Sequence, residues 1–423
     1  MENSHLQIQP EDGKKLKSAS LGLLFFAIFI DLFGFGVVIP ILPFLARDDL
    51  GASGFEYGLI IALYSLMQFI FAPIWGNLSD QYGRRPIILI GLGGSSIGFA
   101  LFSFSSSLWI LYLARAVAGI FTAATLTVAN AYISDSTPPD KRGGAFGLIA
   151  AAFGLGFALG PAVGGFLAGQ EIYGLTGHVL AGIFSALLAV INLIGAIFYL
   201  PESLAVENRK ISRSIKPQIF SKIEFKRITS YPGISLFFMI FALMSFGFSM
   251  LIAAFSVYAP EKDETVDATA LGFYFTYVGL ILFLSQTFLI KPMIRWFGEE
   301  TVIKIGIFGI FAGFVALPFA PTFQWMFVTN APIFFGLSMA SPSIISLISR
   351  LAPSDEQGSV MGFNQGFASL SRVIGPLIAG IIFDIEIVYP FILGAFIFGI
   401  VTVIALIKIK PITPYKNKLE IIN

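Results

Sequence analysis

Asp31 is the one acidic residue that falls well inside a long apolar run of this chain, in Asp31-Leu-Phe-Gly-Phe-Gly-Val-Val-Ile-Pro40. A central carboxylate costs about 2.5–3.5 kcal/mol on insertion scales, and it is tolerated when protonated, paired or facing a wet cavity. Low dielectric penalises the charged form, which suits such a group to taking up and releasing a proton; a structural charge in an internal pair is the other reading. Arg115 lies in a second apolar run, Leu111-Tyr-Leu-Ala-Arg-Ala-Val-Ala-Gly119. A guanidinium stays charged and needs an anion, water or a snorkelling path to the interface. Asp31 is therefore its expected partner. Arg372 stands in a third run, with no intramembrane acid nearby in sequence. It is expected to meet Asp31, an anionic substrate or water in a cavity, or to hydrogen bond to carbonyls.

Two further segments carry position-specific chemistry. In Gly76-Asn-Leu-Ser-Asp-Gln-Tyr-Gly-Arg-Arg-Pro86, Asp80 near a helix end can hold Arg84 or Arg85 and cap a terminus. Gly83 permits the tight turn and Pro86 can start the next helix. The bland alternative is an ordinary basic loop. Gly154-Leu-Gly-Phe-Ala-Leu-Gly-Pro-Ala-Val-Gly-Gly165 places Gly156, Gly160 and Gly164 on one stripe, which lets another helix approach closely. Pro161 adds a kink whose freed carbonyl must find other partners. Read as a dinucleotide loop, Gly154 to Gly160 fails, because the run is apolar with no flanking strand. Polar groups that could join a cavity wall are Gln68, Asn130, Asn192, Gln286, Asn364 and Gln365.

The elements that must position these residues follow from composition. The 423 residues are 56% hydrophobic and 12% charged, where a soluble domain carries about 25% charged residues. Mean hydropathy is +0.84. Lipid is therefore the solvent for most of the chain. A net charge of +1 gives no global case for nucleic acid, and the absence of cysteine excludes disulfides and thiolate chemistry. Only His5 and His178 are present, neither beside a carboxylate cluster, so a zinc-hydrolase site is poor. No metal, cofactor or enzymatic activity is expected.

About 20 apolar residues of helix cross a bilayer. Twelve such runs are expected, at 19–44, 55–77, 86–106, 108–133, 143–169, 178–200, 233–258, 269–291, 301–320, 323–349, 358–383 and 388–408. The basic start, with Lys14, Lys15 and Lys17, is read as a retained segment rather than a cleaved signal. With both termini in the cytoplasm, 22 of the 26 Lys and Arg fall in cytoplasmic segments, and only Arg47 and Lys262 fall in outer loops. A linker at 201–232, with Arg209, Lys210, Arg213, Lys216, Lys222, Lys226 and Arg227, divides the chain into halves at 1–200 and 233–423. At an offset of 215, Pro138, Asp140, Gly143, Gly147, Gly160, Pro161 and Gly165 recur as Pro353, Asp355, Gly358, Gly362, Gly375, Pro376 and Gly380. Duplicated six-helix halves are a transporter plan, with the substrate site between them. At the same offset Asp80, Gly83, Arg84 and Arg85 become Arg295, Gly298, Glu299 and Glu300. Every charge is inverted. Either the loops have drifted, or they pair with each other when that side closes.

The 76–86 pattern resembles the signature between helices two and three of the major facilitator superfamily. The Asp31 segment resembles the first-helix motif of its drug:proton antiporter branch, and 31–43 with 57–86 are similar to the tetracycline-efflux-like group. The resemblance implies proton coupling at Arg115 and an antiporter role for the Gly-Pro-x-x-Gly-Gly element, hence export. The expected function is proton-coupled efflux of a small amphiphilic solute by a monomer in a cell membrane. No Gly-x-x-x-x-Gly-Lys-Ser/Thr loop offers ATP as the energy source. A symporter or uniporter of a sugar, metabolite or lipid is the alternative, and a scaffold or receptor that no longer transports is a third.

Overall fold

The computed structural model describes residues 10–138, 142–209, 227–231, 233–353 and 356–409, with backbone alone for 10–20, 142–150, Asn208 and Gly358. His5, Asp140, Asp355 and the linker cations Lys210, Arg213, Lys216, Lys222 and Lys226 lie outside the described residues. Among the described residues, twelve helices are long and apolar enough to span a membrane. They are α1 (Pro10–Val38), α2 (Gly54–Tyr82), α3 (Arg84–Ser103), α4 (Leu108–Ser136), α5 (Arg142–Ala168) and α6 (Gly177–Tyr199). After 201–232 come α7 (Ile234–Lys262), α8 (Ala268–Phe297), α9 (Glu299–Ala316), α10 (Phe323–Leu351), α11 (Gln357–Phe383) and α12 (Tyr389–Lys408). The chain is an integral, multi-pass membrane protein.

Boundaries depart from hydropathy where backbone chemistry intervenes. The first run continues apolar to 44, yet α1 stops at Val38. Pro40 and Pro43 lack the N–H that helix continuation needs, and a wide helical turn, Phe44–Asp49, follows. Helix α2 starts at a reciprocal cap: the Ser53 side chain accepts from the Glu56 amide, and the Glu56 carboxylate accepts from the Ser53 amide at 2.9 Å. Helix α8 contains a π-type turn at Ser285–Leu289.

The internal repeat is visible in the packing. Helices α4 and α10 are both 29 residues long and start 215 positions apart. Small residues let backbones meet, as where Gly336 of α10 lies so close to Gly306 of α9 that an added methyl would sit 2.2 Å from the Gly306 carbonyl oxygen. One buried apolar cluster, with Leu24, Ile28, Leu92 and Val128, lies within the first half, and a larger one runs across both halves, from Val37 and Tyr57 to Phe237, Phe255, Phe314 and Phe334. Phe26, Trp109, Phe198, Phe308 and Phe396 are exposed, as large apolar side chains can be where lipid is the solvent.

Two seams join the halves, and they are copies of each other. In one, Gly58 of α2 faces the Pro376 carbonyl of α11, and Gly54 faces Gly380. In the other, Gly272 of α8 faces the Pro161 carbonyl of α5, and Ala268 faces Gly165. In both seams the carbonyl of a proline inside the helix, 161 or 376, abuts a glycine of the opposite half. The offset between Gly58 and Gly272 is 214, and between Gly83 and Gly298 it is 215. The π turn in α8 takes up the extra residue.

Candidate functional site

Asp31 is 2% exposed and faces the interior of the first half. Its polar neighbours are the hydroxyls of Ser95 on α3 and Thr122 on α4. Both carboxylate oxygens are without a hydrogen-bond partner, as is the Ser95 hydroxyl. Arg115, 6% exposed, does not form the expected ion pair with Asp31. Its guanidinium lies over two rings instead, 4.6 Å from the Tyr64 centroid and 5.4 Å from that of Phe35. Those rings stack on each other at 4.8 Å. Ring quadrupoles attract a desolvated cation by about 2 kcal/mol or more, so α1 and α2 supply aromatic faces where a carboxylate was expected. Tyr64 is the common member: its ring carries Arg115, and Asp31 and Arg372 lie near enough to bear on the ionisation of its hydroxyl.

Arg372 on α11 likewise has no ion pair with Asp31. It donates to the Ser369 hydroxyl at 2.8 Å, one turn back on its own helix, and reaches Tyr64 electrostatically across the α2–α11 seam. The structure thus brings Asp31, Arg115 and Arg372 around one tyrosine without direct contact between them. Tyr64 and Phe35 were not legible as site residues, because aromatic residues abound in every span.

The Asp80 segment forms a connected charge network. Arg84 is 7% exposed and donates to Asp80 at 2.5 Å, to the Ser79 hydroxyl at 2.7 Å and to Asp135 of α4 at 2.8 Å. Gly83 adopts φ 104°, a conformation open to glycine. Glu202, just beyond α6, accepts from the amides of Arg84 (2.8 Å) and Arg85 (3.2 Å), placing negative charge at the α3 N-terminus. The Arg85 guanidinium reaches the Ile197 carbonyl. Asp135 and Glu202 were not anticipated. Gly76 has ordinary contact distance to Thr127.

The inverted charges at 295–300 resolve differently from a pairing between loops. Glu299 pairs with Arg350 of α10 and accepts from Ser346 at 3.0 Å. Arg350 is the 215-offset counterpart of Asp135, as Glu299 is of Arg84. Each half therefore closes its own α3–α4 or α9–α10 link, with the polarity of the pair reversed. The matching inversion at 135 and 350 was the sequence signal.

The glycine stripe of α5 packs on α1: Gly156 meets Leu32 and Phe33, Gly160 meets Gly36, and Gly164 meets the Val37 carbonyl. Gly165, on the adjoining face, meets α8. At the Arg47 end of the bundle the halves are clasped. Arg47 pairs with Glu261 of α7 at 2.7 Å and lies over the Phe383 ring. Asp384, at the end of α11, accepts from the Gly54 and Phe55 amides at 2.9 and 3.2 Å, so a carboxylate of one half caps α2 of the other. A polar cavity of about 210 Å³ lies beside this clasp, lined by Arg47, Asp48, Ser256 and Glu261 among others. Sequence gave no hint of this clasp.

The cavity-wall candidates separate. Asn192 is a packing residue, donating to the Ala27 carbonyl of α1 at 3.0 Å. Asn130 bonds its own helix at Leu126. Asn364 is 3% exposed with its side-chain oxygen unpartnered. Gln68 is half-buried, and Gln286 and Gln365 are exposed. Among the described residues no cluster of potential metal ligands occurs.

The family model for the Major Facilitator Superfamily matches residues 24–376 and 268–421. The chain is 34% identical over 366 residues to the tetracycline resistance protein, class C, of Escherichia coli, covering 84% of this chain and 87% of that one. It is 30% identical over 375 residues to multidrug resistance protein 1 of Bacillus subtilis, covering 89% and 92%. Its fold resembles that of a peptide transporter crystallised with sulfate, with a TM-score of 0.75 at 14% identity over 93% of this chain and 97% of the other. Sequence, twelve-helix fold and duplicated halves agree: the chain belongs to the major facilitator superfamily and is a membrane transporter, not an enzyme.

Proposed function

We propose that this protein exports a small amphiphilic solute in exchange for protons, with Asp31 as the proton site. The observation that carries this is the Asp31 carboxyl group: deep in α1, buried, without a partner at either oxygen, and near Tyr64, whose ring carries Arg115. A group so placed costs little when neutral and much when charged. Protonation therefore changes the electrostatics of the whole centre. The named activities of the tetracycline and multidrug resistance relatives support efflux and a drug-like solute. Asn364, Gln68, Gln365 and Arg372 are the proposed cavity contacts from α2 and α11.

The 1–200 and 233–423 halves rock about the two glycine–proline seams, joined by 201–232. Basic-residue distribution supports both termini in the cytoplasm of a cell membrane. In that orientation the Arg47–Glu261 and Asp384 contacts close the outer side. Gly76, Asp80, Gly83, Arg84 and Arg85, with Asp135, form the cytoplasmic latch, and Gly156, Gly160, Pro161, Gly164 and Gly165 form the surface on which α5 moves. A monomer suffices, because both seams lie within one chain, and no nucleic acid partner is involved.

The test is transport of tetracycline into proteoliposomes under an imposed proton gradient. Asp31→Asn should unfold at the temperature of the unaltered protein, bind tetracycline, and fail to accumulate it in response to the gradient. Full gradient-driven accumulation by that variant would rule out Asp31 as the coupling site.

A further inference from the structure

We propose that the second half binds one water molecule between Asn330 of α10 and Tyr274 of α8. This site is independent of Asp31 and stands whichever ion drives transport. Both residues are 0% exposed. The Asn330 amide has no hydrogen-bond partner at its nitrogen or at its oxygen, and the Tyr274 hydroxyl has none either. Each of these buried atoms has lost its hydration without a bond in return, which is costly enough to call for a partner.

Ring geometry brings them to one place. Phe323, Phe327, Asn330 and Phe334 follow each other by four, three and four residues, so they lie on one stripe of α10. The Tyr274 ring centroid is 6.3, 5.3 and 6.4 Å from those of Phe323, Phe327 and Phe334. It therefore spans the stripe on both sides of Asn330. Tyr277, one turn along α8, donates to the Phe327 carbonyl at 2.9 Å and pins α8 to the same turn of α10. Helix α9 takes the adjoining face of α10, where Gly313 meets Ile333 and Gly309 meets the Pro332 carbonyl. Phe255 of α7 stacks on Tyr274 at 3.9 Å and closes the remaining side.

The chemistry selects the ligand. Polar groups on facing helices that do not bond each other directly are commonly joined by a water with two to four partners. Here the amide nitrogen donates, the amide oxygen accepts, and the phenol hydroxyl does either. An ion is excluded, because residues 234–259 of α7, 268–290 of α8 and 323–349 of α10 contain no charged side chain to balance it. Complete burial excludes a solute of drug size. The internal repeat adds an independent observation. Asn330 and Arg115 are counterparts, each seven residues after the start of its helix. The first half holds a cation over ring faces at this place, and the second holds a neutral amide among rings. The bridge lies two residues from Gly272, so it fastens the seam helix α8 to α10 of its own half.

Radiolytic hydroxyl labelling of the full-length protein in nanodiscs tests this, because radicals formed from a bound water oxidise the side chain beside it. Tyr274 should be labelled several-fold faster than Tyr132, which is 1% exposed but donates its hydroxyl to the Pro201 carbonyl. Asn330→Leu should bring the Tyr274 rate down to that of Tyr132. Equal rates in the unaltered protein would overturn the proposal without any variant, and so would a Tyr274 rate that Asn330→Leu leaves unchanged. Thermal unfolding gives a second reading. Asn330→Leu and Tyr274→Phe should each lower the midpoint, and the double variant should recover part of the loss, since no polar group is then left to hydrate. Strictly additive losses would show that the two groups share no ligand. Saturating tetracycline should leave Tyr274 labelling unchanged; protection would give the site to an oxygen of the solute and rule out water as its occupant.

Discussion

Replacing Gly58 with alanine tests whether the seams set the balance between arrangements of the halves. A Cβ built at Gly58 lies 2.3 Å from the Pro376 carbonyl oxygen and 3.0 Å from its carbonyl carbon, both backbone atoms that cannot rotate away. Ordinary contact begins near 3.4 Å, and 3.4 minus 2.3 requires α2 and α11 to part by about 1.1 Å at this point. Overpacking of this kind costs about 1–3 kcal/mol. The Asp384 bonds to Gly54 and Phe55 lie one turn away on the same seam and would lengthen with it. Gly58→Ala should therefore lower the population closed at the Arg47 end by roughly 5- to 150-fold, read as a shift in spin-label distances. Gly272→Ala, whose Cβ would sit 2.5 Å from the Pro161 carbonyl oxygen, should produce a similar shift through the second seam. Gly195→Ala is the control, with nothing within 4 Å of the added methyl. Unchanged distances and unchanged tetracycline transport in Gly58→Ala would refute the claim that these contacts are limiting.

Two further outcomes follow from the ends of the bundle. Asp384→Ala removes a cap held across the halves and should destabilise the closed Arg47 end by about 1 kcal/mol, the typical value of an N-cap; the same label pair measures it, and an unaltered ratio would contradict the cap's role. Arg350→Glu should lower the midpoint of thermal unfolding by placing two carboxylates together, and the double change Glu299→Arg with Arg350→Glu should recover most of the loss. Failure of the double variant to recover would show that the pair is not the link between α9 and α10.

The span count and the duplication were readable because they depend on long apolar runs and on glycine and proline spacing, which hydropathy and offset expose directly. The stripe at Gly156, Gly160 and Gly164 announced close approach, although only the folded chain shows that α1 takes that face and α8 takes Gly165. What failed was pairing. Opposite charges in oil make Asp31 the expected partner of Arg115, whereas the guanidinium lies over the ring faces of Tyr64 and Phe35 and its Nε has no hydrogen-bond partner. The sign reversal at 295–300 leaves drift and contact between loops equally open until the compensating exchange of Asp135 for Arg350 is set beside it. The contacts at Asp384 involve backbone amides, which every residue possesses, so no side-chain pattern marks them in advance.

The π turn at Ser285–Leu289 has a consequence for how the two copies have diverged. An α-helix advances about 100° per residue, so one inserted residue in α8 would ordinarily swing everything on one side of it to a different face. Absorbed as a local bulge, the insertion leaves Gly272 against Pro161 above and Phe297–Gly298 in phase with Tyr82–Gly83 below. The bulge thus acts as a phase corrector, through which the second copy tolerates a change of length that a straight helix would have turned into loss of a seam.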